Sequence, residues 1–238
     1  MISVCMAAYN GERYIERQIL TIMRNISKTD ELIISDDGST DSTLEIIERL
    51  QQTYPSIHVV QGPKKGVIAN FENAIQHAKG DFLYLADQDD IWEEDKVKTV
   101  QKVFEEHPKC MLVIHDADII DENESVIEAS FFQRRGSKAG LLKNIIKNSY
   151  IGCCMAFRKE ILNVVLPIPK NIEMHDQWIC IISELQGGAI FLKTVLFHYR
   201  RHGENVSSFE HYPVPKMIRN RFVLIVELIK RYLRREKG

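Results

Sequence analysis

The sequence predicts an α/β fold in which a mostly parallel, Rossmann-like sheet is flanked by helices. In the first half of the 238 residues, short apolar runs alternate with longer stretches whose apolar residues recur every three or four positions. This order is typical of parallel sheets, because two parallel strands need a crossover connection between them. Hydrophobic residues make up 45% of the chain, which is enough to form a packed core.

Five short runs rich in apolar and β-branched residues are predicted to form strands. None of them alternates apolar and polar side chains, so we expect each strand to be buried on both faces of the sheet. The runs cover residues 2–6, 32–35, 57–60, 82–86 and 111–115.

The stretches between these strands have the apolar spacing of amphipathic helices. They cover residues 14–22, 44–50 and 67–78. In the less regular second half we expect helices over residues 141–148 and 178–185, a strand over 150–157, and strands near Ile190 and Phe197. No repeat or low-complexity linker separates the halves, so residues 1–213 are predicted to form one continuous domain.

The composition excludes several classes of protein. A net charge of −2, from 31 basic and 33 acidic residues, lacks the basic excess of nucleic-acid-binding proteins, so we expect no nucleic-acid partner. The chain has neither a long apolar run nor the features of a signal peptide, and we expect it to be neither membrane-spanning nor secreted by that route. Five cysteines without a C-x-x-C pair predict reduced, buried thiols in a cytoplasmic protein.

Polar residues collect where three of the predicted strands end. The first strand leads into residues 8–11 (Ala-Tyr-Asn-Gly), the second into 36–41 (Asp-Asp-Gly-Ser-Thr-Asp) and the fourth into 87–90 (Asp-Gln-Asp-Asp). Ligands of such sheets bind beyond the carboxyl ends of the strands. The three turns therefore predict a single site at one edge of the sheet.

The motif at residues 36–41 has both a structural and a functional interpretation. Gly38 favours a turn, and Ser39, Thr40 or Asp41 is suited to cap the helix that begins near Ser42. Capping accounts for one of the two leading aspartates at most. A repulsive pair of carboxylates after a buried strand favours a ligand such as a base N–H, a ribose hydroxyl or a metal.

The motif at residues 87–90 concentrates three carboxylates, which a hard divalent cation would stabilise. An EF-hand is excluded, because Ile91 and Trp92 stand where that loop needs an oxygen ligand and a glycine. The structural alternative is a helix N-terminus. It suits Asp90 and the glutamates that follow better than it suits Asp87 and Asp89.

Two further motifs lie in the second half of the chain. Asp176, within His175-Asp176-Gln177-Trp178, is either a functional carboxylate or the N-cap of a helix. Residues 199–205 place arginines and a histidine after a predicted strand. Such a cluster neutralises phosphate oxygens or completes a metal shell, or it forms a solvated turn.

Taken in order, these motifs resemble family 2 inverting glycosyltransferases of the GT-A fold, the nucleotide-diphospho-sugar transferase fold. The resemblance covers nearly the whole chain. It rests on Ala8-Tyr9-Asn10, the motifs at 36–41 and 175–178, and the motif at 87–90 with Trp92. Residues 66–71 (Gly-Val-Ile-Ala-Asn-Phe) and the forms of the later motifs are most similar to bacterial polysaccharide transferases of the rhamnosyltransferase type.

The resemblance implies a role for each matching residue. It implies a nucleotide pocket in which Asp37 meets the base, Asp87 lies nearer the ribose, and Ala7, Tyr9 and Asp36 complete the lining.

It further implies that Asp89, with His202, holds Mg²⁺ or Mn²⁺ against the diphosphate, and that Asp176 is the general base. Arg200 is a candidate partner of the diphosphate. The family's usual arginine-asparagine pair on the third helix is replaced here by Asn70-Phe71.

The implied reaction moves a sugar from a nucleoside-diphosphate sugar, dTDP-rhamnose or a UDP-sugar, to a glycan or lipid-linked acceptor in cell-surface polysaccharide biosynthesis. A donor half to about residue 116 and an acceptor half over residues 117–213 are expected. Such transfer needs a metal to offset the charge on the leaving diphosphate and one carboxylate to accept a proton. A single displacement inverts the anomeric carbon and needs no covalent nucleophile.

Two alternatives remain at the level of sequence. A sugar-1-phosphate nucleotidyltransferase should carry a glycine-rich loop after the first strand, where residues 7–11 contain one glycine. A non-catalytic subunit that binds nucleotide sugars would not need all three acidic motifs.

Residues 214–238 differ in kind from the rest of the chain. They carry a net charge of +6, which leaves −8 on residues 1–213. Apolar residues fall on one stripe of a predicted amphipathic helix, with basic residues beside it. We expect this helix to contact the inner face of the cytoplasmic membrane, or to pack on the domain or on a second subunit of a homodimer. The stripe is Ile218, Phe222, Ile225, Ile229 and Leu233, and the basic residues are Arg219, Lys230, Arg234 and Arg235.

Overall fold

The computed structural model describes residues 1–203, 205 and 213–235, and in this part the chain forms one mixed nine-stranded sheet with helices packed on it. The strands are β1 (Ile2–Ala8), β2 (Glu31–Asp36), β3 (Ile57–Gln61), β4 (Phe82–Asp87), β5 (Ile91–Trp92), β6 (Leu112–Ile120), β7 (Val126–Glu128), β8 (Met155–Arg158) and β9 (Ala189–Arg200). The α-helices are α1 (Ile15–Asn25), α2 (Thr43–Thr53), α3 (Val67–His77), α4 (Lys96–Glu106), α5 (Phe131–Arg135), α6 (Leu141–Ile146), α7 (Leu162–Val165), α8 (His175–Gln186) and α9 (Val214–Arg235).

The predicted α/β fold class is confirmed. The first four strands are parallel to one another in the order β3-β2-β1-β4, and α1, α2 and α3 provide the crossovers. Beyond β4 the sheet continues as β8-β6-β9-β5, where β8 and β5 run antiparallel to their neighbours and β6 and β9 are parallel. The carboxyl ends of β1, β2 and β4 therefore lie side by side, as the sequence predicts.

The expectation that all five strands are buried on both faces is wrong for β3. His58 and Gln61 of this strand are exposed, and Val59 and Val60 are half-buried. The cause is position, since β3 is the edge strand and pairs only with β2. In β1, β2 and β4 nearly every side chain is buried, because helices cover both faces there.

The second half departs further from expectation. The strand expected at 150–157 begins only at Met155 and continues to Arg158, because Gly152–Cys154 forms a 3₁₀ turn. The two strands expected near Ile190 and Phe197 are one continuous strand, β9. β6 runs on to Ile120 and keeps Asp116 and Asp118 buried within the strand.

Local hydrogen bonds explain why β6 tolerates these carboxylates. Asp116 accepts the backbone N–H groups of Ala117 at 2.8 Å and Phe132 at 2.9 Å. Asp118 is 2.8 Å from Nδ1 of His198 on β9. A buried carboxylate with such partners no longer destabilises the strand.

α9 packs on the domain through one face only. Leu224 and Leu228 are buried, and Arg231 donates to the carbonyls of Val164 at 2.5 Å and Leu166 at 2.7 Å. The predicted α9 stripe faces away from the domain and is exposed, so the expectation that this stripe packs on the domain is wrong. Its members are Ile218, Phe222, Ile225, Ile229 and Leu233, between 42% and 67% exposed.

The side chains of Arg234 and Arg235, and residues 236–238, lie outside the described residues. Among the helices that are described, none combines the length and the apolar composition needed to cross a membrane.

Candidate active site

A cavity of about 1160 Å³ opens at the carboxyl ends of β1, β2 and β4. It extends to the first residues of α8 and the end of β9. Most of the predicted site residues line it, namely Ala7, Tyr9, Asp37, Asp87, Asp89, Asp176 and His202. Asp36 and Arg200 are not part of the lining. A smaller cavity of about 450 Å³, near Lys109 and Gly187, contains none of the predicted residues.

The loop after β1 is joined to the 87–90 motif by a side chain that the sequence interpretation did not single out. Gln88 accepts the backbone N–H of Tyr9 at 2.9 Å and donates to its carbonyl, also at 2.9 Å. A Cβ on Gly11 would lie 2.3 Å from Oε1 of Gln88, so a larger residue there would displace the Gln88 side chain from this position. The exposed Tyr9 ring is thereby placed at the mouth of the cavity, with Ala7 on its inner wall.

The two leading aspartates of the 36–41 motif diverge. Asp36 is buried, and its carboxylate accepts the N–H groups of Gly38 at 3.0 Å and Ser39 at 2.9 Å. Gly38 has a φ of +97°, which glycine adopts readily. Asp36 therefore shapes the turn, while Asp37 lines the cavity. The N-cap of α2 is Ser42, so the expectation that Ser39, Thr40 or Asp41 is the cap is wrong, although Asp41 accepts the N–H of Thr43 at 3.0 Å.

Asp37 also holds the loop that follows β3. Its carboxylate accepts the backbone N–H groups of Lys64 at 2.5 Å and Gly66 at 2.9 Å. Gly66 immediately precedes α3, so one carboxylate fixes the entry to the helix that forms a wall of the cavity.

Asp87, the last residue of β4, is the most perturbed carboxylate on the cavity wall. Burial, with a further contribution from the charges of Asp89 and Asp176, raises its pKa to about 7. Its backbone carbonyl accepts a hydrogen bond of 2.9 Å from the buried amide of Gln18. A helix residue thus fixes the end of β4, and the three carboxylates are close enough to repel one another.

Asp89 and His202 also line the cavity and contact each other. Nε2 of His202 is 2.7 Å from Oδ2 of Asp89, and the amide of Asn205 donates to the same oxygen at 3.2 Å. The ring of Tyr14 packs on His202 with centroids 5.0 Å apart. The buried hydroxyl of Tyr14 has no hydrogen-bond partner in the described part of the chain.

These residues fit a divalent cation. A carboxylate and an imidazole are ligands that Mn²⁺ accepts, and the Asp87 carboxylate nearby suits Mg²⁺ or Mn²⁺. A bound cation would also offset the repulsion that raises the pKa of Asp87. The metal-ligand role of Asp89 and His202 stays a prediction, and the chemistry of this donor set fits it.

A second cluster lies deeper and does not fit a hard cation. Ligand atoms of Asp87, Asp90 and Cys153 are within 4.8 Å of one another. Burial raises the pKa values of Asp90 and Cys153 well above their ordinary values, which disfavours the ionised form of both groups. Mg²⁺ and Mn²⁺ prefer ionised oxygen ligands and retain water, and a buried thiol offers neither.

Asp90 itself is a structural residue. The sequence favoured a place for it at the start of the following helix, but α4 begins at Lys96, with Asp95 before it. Asp90 is 1% exposed and accepts the backbone N–H of Arg200 at 2.9 Å. It ties the 87–90 loop to the end of β9.

Arg200 lies directly behind Asp89. Its Nε donates to the Asp89 carbonyl at 2.8 Å, and the rest of its guanidinium binds the carbonyls of Asp121 and Glu122, at 3.3 Å each, and the Glu124 carboxylate at 3.0 Å. The side chain is buried and holds the backbone at Asp89 in place. In this structure the guanidinium donors of Arg200 bind acceptors of the protein itself. The diphosphate contact expected of Arg200 stays a prediction.

Asp176 stands in the first turn of α8, and the expectation that it is the N-cap is wrong. The N-cap is Met174, because the helix begins at His175. One carboxylate oxygen of Asp176 accepts the N–H of Gln177 at 2.5 Å. Burial raises the pKa of Asp176 to about 6. A buried carboxylate with a raised pKa, facing a cavity, is a candidate general base.

Several residues that line the cavity are not predicted as site residues from the sequence. Tyr14 is predicted only as part of an amphipathic helix, and Gln88, Asn205 and His175 lie in the motifs without a predicted role. A signal existed for the last three, because each belongs to a motif that contains a predicted site residue. The bond between Asp37 and the loop at Lys64 depends on tertiary structure and leaves no local pattern.

Known proteins share this architecture. The chain is 30% identical to an uncharacterized glycosyltransferase of Nostoc sp., over 86% of this chain and 66% of that protein. It is 27% identical to the dTDP-rhamnosyl transferase RfbG of Shigella flexneri, over 91% of this chain and 80% of that protein. The crystal structure of TarS from S. aureus with UDP-GlcNAc superimposes with a TM-score of 0.74 at 22% identity, covering 94% of this chain and 66% of that chain.

The chain thus spans somewhat less than two thirds of the Nostoc relative and of the TarS chain. The TarS superposition shows the GT-A fold that the sequence predicted. Residues 3–166, which contain β2, β4 and the motifs at 36–41 and 87–90, match glycosyl transferase family 2. The chain therefore belongs to glycosyl transferase family 2.

Proposed function

We propose that this glycosyltransferase moves a sugar from a nucleoside-diphosphate donor to a hydroxyl group of a glycan or lipid-linked acceptor, with inversion at the anomeric carbon. The observation that carries the proposal is the composition of one cavity. Asp176, with a pKa raised to about 6, shares that cavity with Asp37 and with the pair Asp89–His202. A base, a nucleotide-binding carboxylate and a cation site are the parts that a single displacement needs.

The donor nucleotide lies on the side of β1 and β2 in this proposal. Asp37 offers a carboxylate to the N–H groups of a base, and Ala7 leaves room beside it. Tyr9, exposed at the mouth, provides an aromatic face for the base. Asp87 lies at the end of β4, next to Ala7 in the sheet, where a ribose hydroxyl would follow the base. Asp36 contributes by shaping the turn.

Asp89 and His202 would hold Mg²⁺ or Mn²⁺ against the diphosphate, and Asp87 would add negative charge beside it. When bound, the cation supplies Lewis-acid stabilisation of the leaving diphosphate. The protein's own part is to fix the two ligands. Asn205 donates to Asp89, and Arg200 holds the Asp89 backbone from beneath.

Asp176 would accept the proton of the attacking acceptor hydroxyl. With a pKa of about 6, the carboxylate is largely ionised at pH 7 and yet more basic than an exposed aspartate. The proposal needs no covalent nucleophile, because the hydroxyl displaces the diphosphate in one step with inversion.

The donor sugar and the pathway follow from the relatives by analogy. RfbG is a dTDP-rhamnosyl transferase and the TarS structure holds UDP-GlcNAc. We therefore favour dTDP-rhamnose or a UDP-sugar as donor, in the synthesis of a cell-surface polysaccharide. Family membership argues against a nucleotidyltransferase, and Asp176 in the cavity argues against a non-catalytic subunit.

A transfer assay tests the proposal. The chain is incubated with dTDP-rhamnose, UDP-glucose or UDP-N-acetylglucosamine, a panel of p-nitrophenyl glycosides, and Mn²⁺, Mg²⁺ or EDTA. We expect release of the nucleoside diphosphate that depends on cation and acceptor, and a product of inverted anomeric configuration by NMR. A product with retained configuration, or equal rates in EDTA, would contradict the mechanism.

The proposal divides the chain into a catalytic domain over residues 1–213 and a C-terminal helix over 214–238. The proposed partner of this helix is an anionic membrane surface, on the inner face of the cytoplasmic membrane. The α9 stripe is exposed, and Leu142 and Ile146 of the neighbouring α6 are 75% and 73% exposed. Arg221 of α9 donates to the Ile146 carbonyl at 2.9 Å, so the two helices contact each other, and their exposed apolar residues together form the apolar surface proposed here.

Charge selects a lipid surface over a second subunit. Exposed Lys143, Lys147, Lys216, Arg219 and Lys230 lie around this apolar surface, whereas residues 1–213 as a whole carry −8. Each basic residue near an anionic surface contributes about 1 kcal/mol to binding. A second copy of the chain would bring the same positive charge to the interface.

A further inference from the structure

His175 lies in the wall of the active-site cavity, one residue before Asp176. It is 3% exposed, and its ring stacks on Phe71 of α3 with centroids 4.3 Å apart. Gly152 closes the space on another side of the ring, where a Cβ would lie 3.3 Å from Nε2. The imidazole is therefore fixed by packing on two elements, and a ligand would meet it already oriented.

The polar atoms of this ring are unused. Neither Nδ1 nor Nε2 of His175 has a hydrogen-bond partner in the described part of the chain. Burial lowers the pKa of His175 to about 3, so at neutral pH the ring is uncharged, with one nitrogen as donor and the other as acceptor. A phenyl ring would fill the same space without two unpaired polar atoms. A bound molecule would give these atoms partners.

His115 differs from His175 in the hydrogen bonding and the location of its ring. His115 is also buried and neutral, and its Nε2 is also unpaired. Its Nδ1, however, is 2.9 Å from the Asp116 carbonyl, and the ring lies in the core, away from the cavity. An unpaired nitrogen is therefore tolerated in this core. The feature specific to His175 is that both nitrogens are unpaired in a residue that lines the proposed reaction cavity.

Building on the proposed function, we infer that His175 recognises a hydroxyl group of the sugar that lies beside Asp176, and so helps to determine sugar specificity. A sugar hydroxyl both donates and accepts, which matches a neutral imidazole. Because His175 adjoins Asp176, the proposed base, the group that it meets in this proposal is a sugar and not the nucleotide. The recognised hydroxyl belongs either to the sugar being transferred or to the acceptor sugar, and the experiment separates these two sources.

The test compares H175F, H175Q and the control H115F with the full wild-type chain. H175F keeps the stack on Phe71 and removes both nitrogens, whereas H175Q restores a donor and an acceptor. Calorimetry with Mn²⁺ measures the affinities of UDP, dTDP, UDP-glucose, UDP-N-acetylglucosamine and dTDP-rhamnose. Kinetics with p-nitrophenyl glycosides give the KM of the acceptor.

We expect H175F to melt no lower than wild type and to bind UDP and dTDP unchanged. Its affinity for a nucleotide sugar should fall about tenfold to a hundredfold if the donor sugar is read, or its acceptor KM should rise by that factor if the acceptor is read. H175Q should recover part of the loss, and H115F should change neither quantity. Sugar affinity and acceptor KM both equal to wild type in H175F would overturn the inference.

A second measurement separates this inference from the proposed function. If wild type bound no nucleoside diphosphate, the proposed function would fail. Nitrogen NMR of the His175 ring, assigned with H175Q, would still report contact with methyl glycosides of glucose, rhamnose and N-acetylglucosamine. Ring shifts that respond to a sugar support the inference, and shifts unchanged by every nucleotide sugar and glycoside contradict it.

Discussion

Asp89 and Asp90 are adjacent in the sequence, yet the structure predicts that replacing them disables different properties. Asp89 lies on the cavity wall, with its Oδ2 2.7 Å from Nε2 of His202. Asp90 is 1% exposed and accepts the Arg200 backbone N–H at 2.9 Å. We expect D89A to lose cation-dependent binding in a stable fold, and D90A to lose stability.

The size of the D89A effect follows from the composition of the site. Asp89 is the carboxylate paired with His202, and the remaining ligands of a cation would be largely diphosphate oxygens and water. Removing a residue that only supports a metal ligand weakens metal binding by about 10- to 100-fold. Removing the ligand itself should therefore weaken Mn²⁺-dependent nucleoside diphosphate binding by more than about 100-fold.

The D90A effect follows from a buried donor left without a partner. The Arg200 N–H would lose its acceptor, which destabilises a protein by about 1–3 kcal/mol. For a chain of this length, each kcal/mol lowers Tm by roughly 2–4 °C, so a decrease of roughly 2–12 °C is expected. Binding of UDP or dTDP with Mn²⁺, measured below the lowered Tm, should change much less than in D89A.

Calorimetry of UDP and dTDP with Mn²⁺ and with EDTA, together with thermal melting, distinguishes the two variants. D89A should bind equally weakly with Mn²⁺ and EDTA and melt near wild type. A D89A variant that keeps the wild-type difference between Mn²⁺ and EDTA would refute the assignment of the metal site. A D90A variant that melts like wild type would refute the structural role of Asp90.

Three further outcomes are expected. Turnover at saturating donor and cation should rise with pH through about 6, as the carboxyl of Asp176 loses its proton, and should then level off. A turnover that stays constant between pH 5 and 7 would count against Asp176 as the base. R200K should lower the free energy of unfolding by about 1–3 kcal/mol and weaken Mn²⁺-dependent binding of nucleoside diphosphate, because a lysine cannot make all the hydrogen bonds that Arg200 makes next to Asp89. An R200K variant with the melting temperature and the nucleotide affinity of wild type would contradict the supporting role of Arg200. Replacing both Ile218 and Phe222 with Glu should abolish sedimentation with phosphatidylcholine vesicles that contain phosphatidylglycerol, while L185E on α8 should not. If wild type bound no vesicles and formed a dimer that this double variant dissociated, the result would favour the homodimer.

The sequence predicted β1, β2, β4 and the turns after them well, because the residues that determine these elements are close together in the sequence. Strands β1, β2 and β4 are apolar on both faces, and their turns gather glycine and carboxylates. Where a carboxylate enters a strand, the local signal misleads. β6 was expected to end before Asp116, yet it continues, because Phe132 and His198 from other elements provide the hydrogen bonds.

The site shows the same division. Asp37, Asp89 and Asp176 stand at the ends of elements, where position in the sequence indicates position in the cavity. The burial of Asp90 and Arg200 depends on the pairing of β5 with β9, two segments more than a hundred residues apart. No local pattern encodes that contact, so the sequence alone could not distinguish a ligand-binding arginine from one that binds the protein.

Turnover of D176N tests the central claim most directly. Asn keeps the size of the side chain and an oxygen that can accept the Gln177 N–H, so fold and donor affinity should stay near wild type. Asn cannot accept a proton at neutral pH, and turnover should fall by roughly 10²–10⁴-fold. D118N, at a buried carboxylate bound to His198 outside the cavity, is the matched control and should keep its turnover. Near-wild-type turnover of a folded, donor-binding D176N would contradict the account.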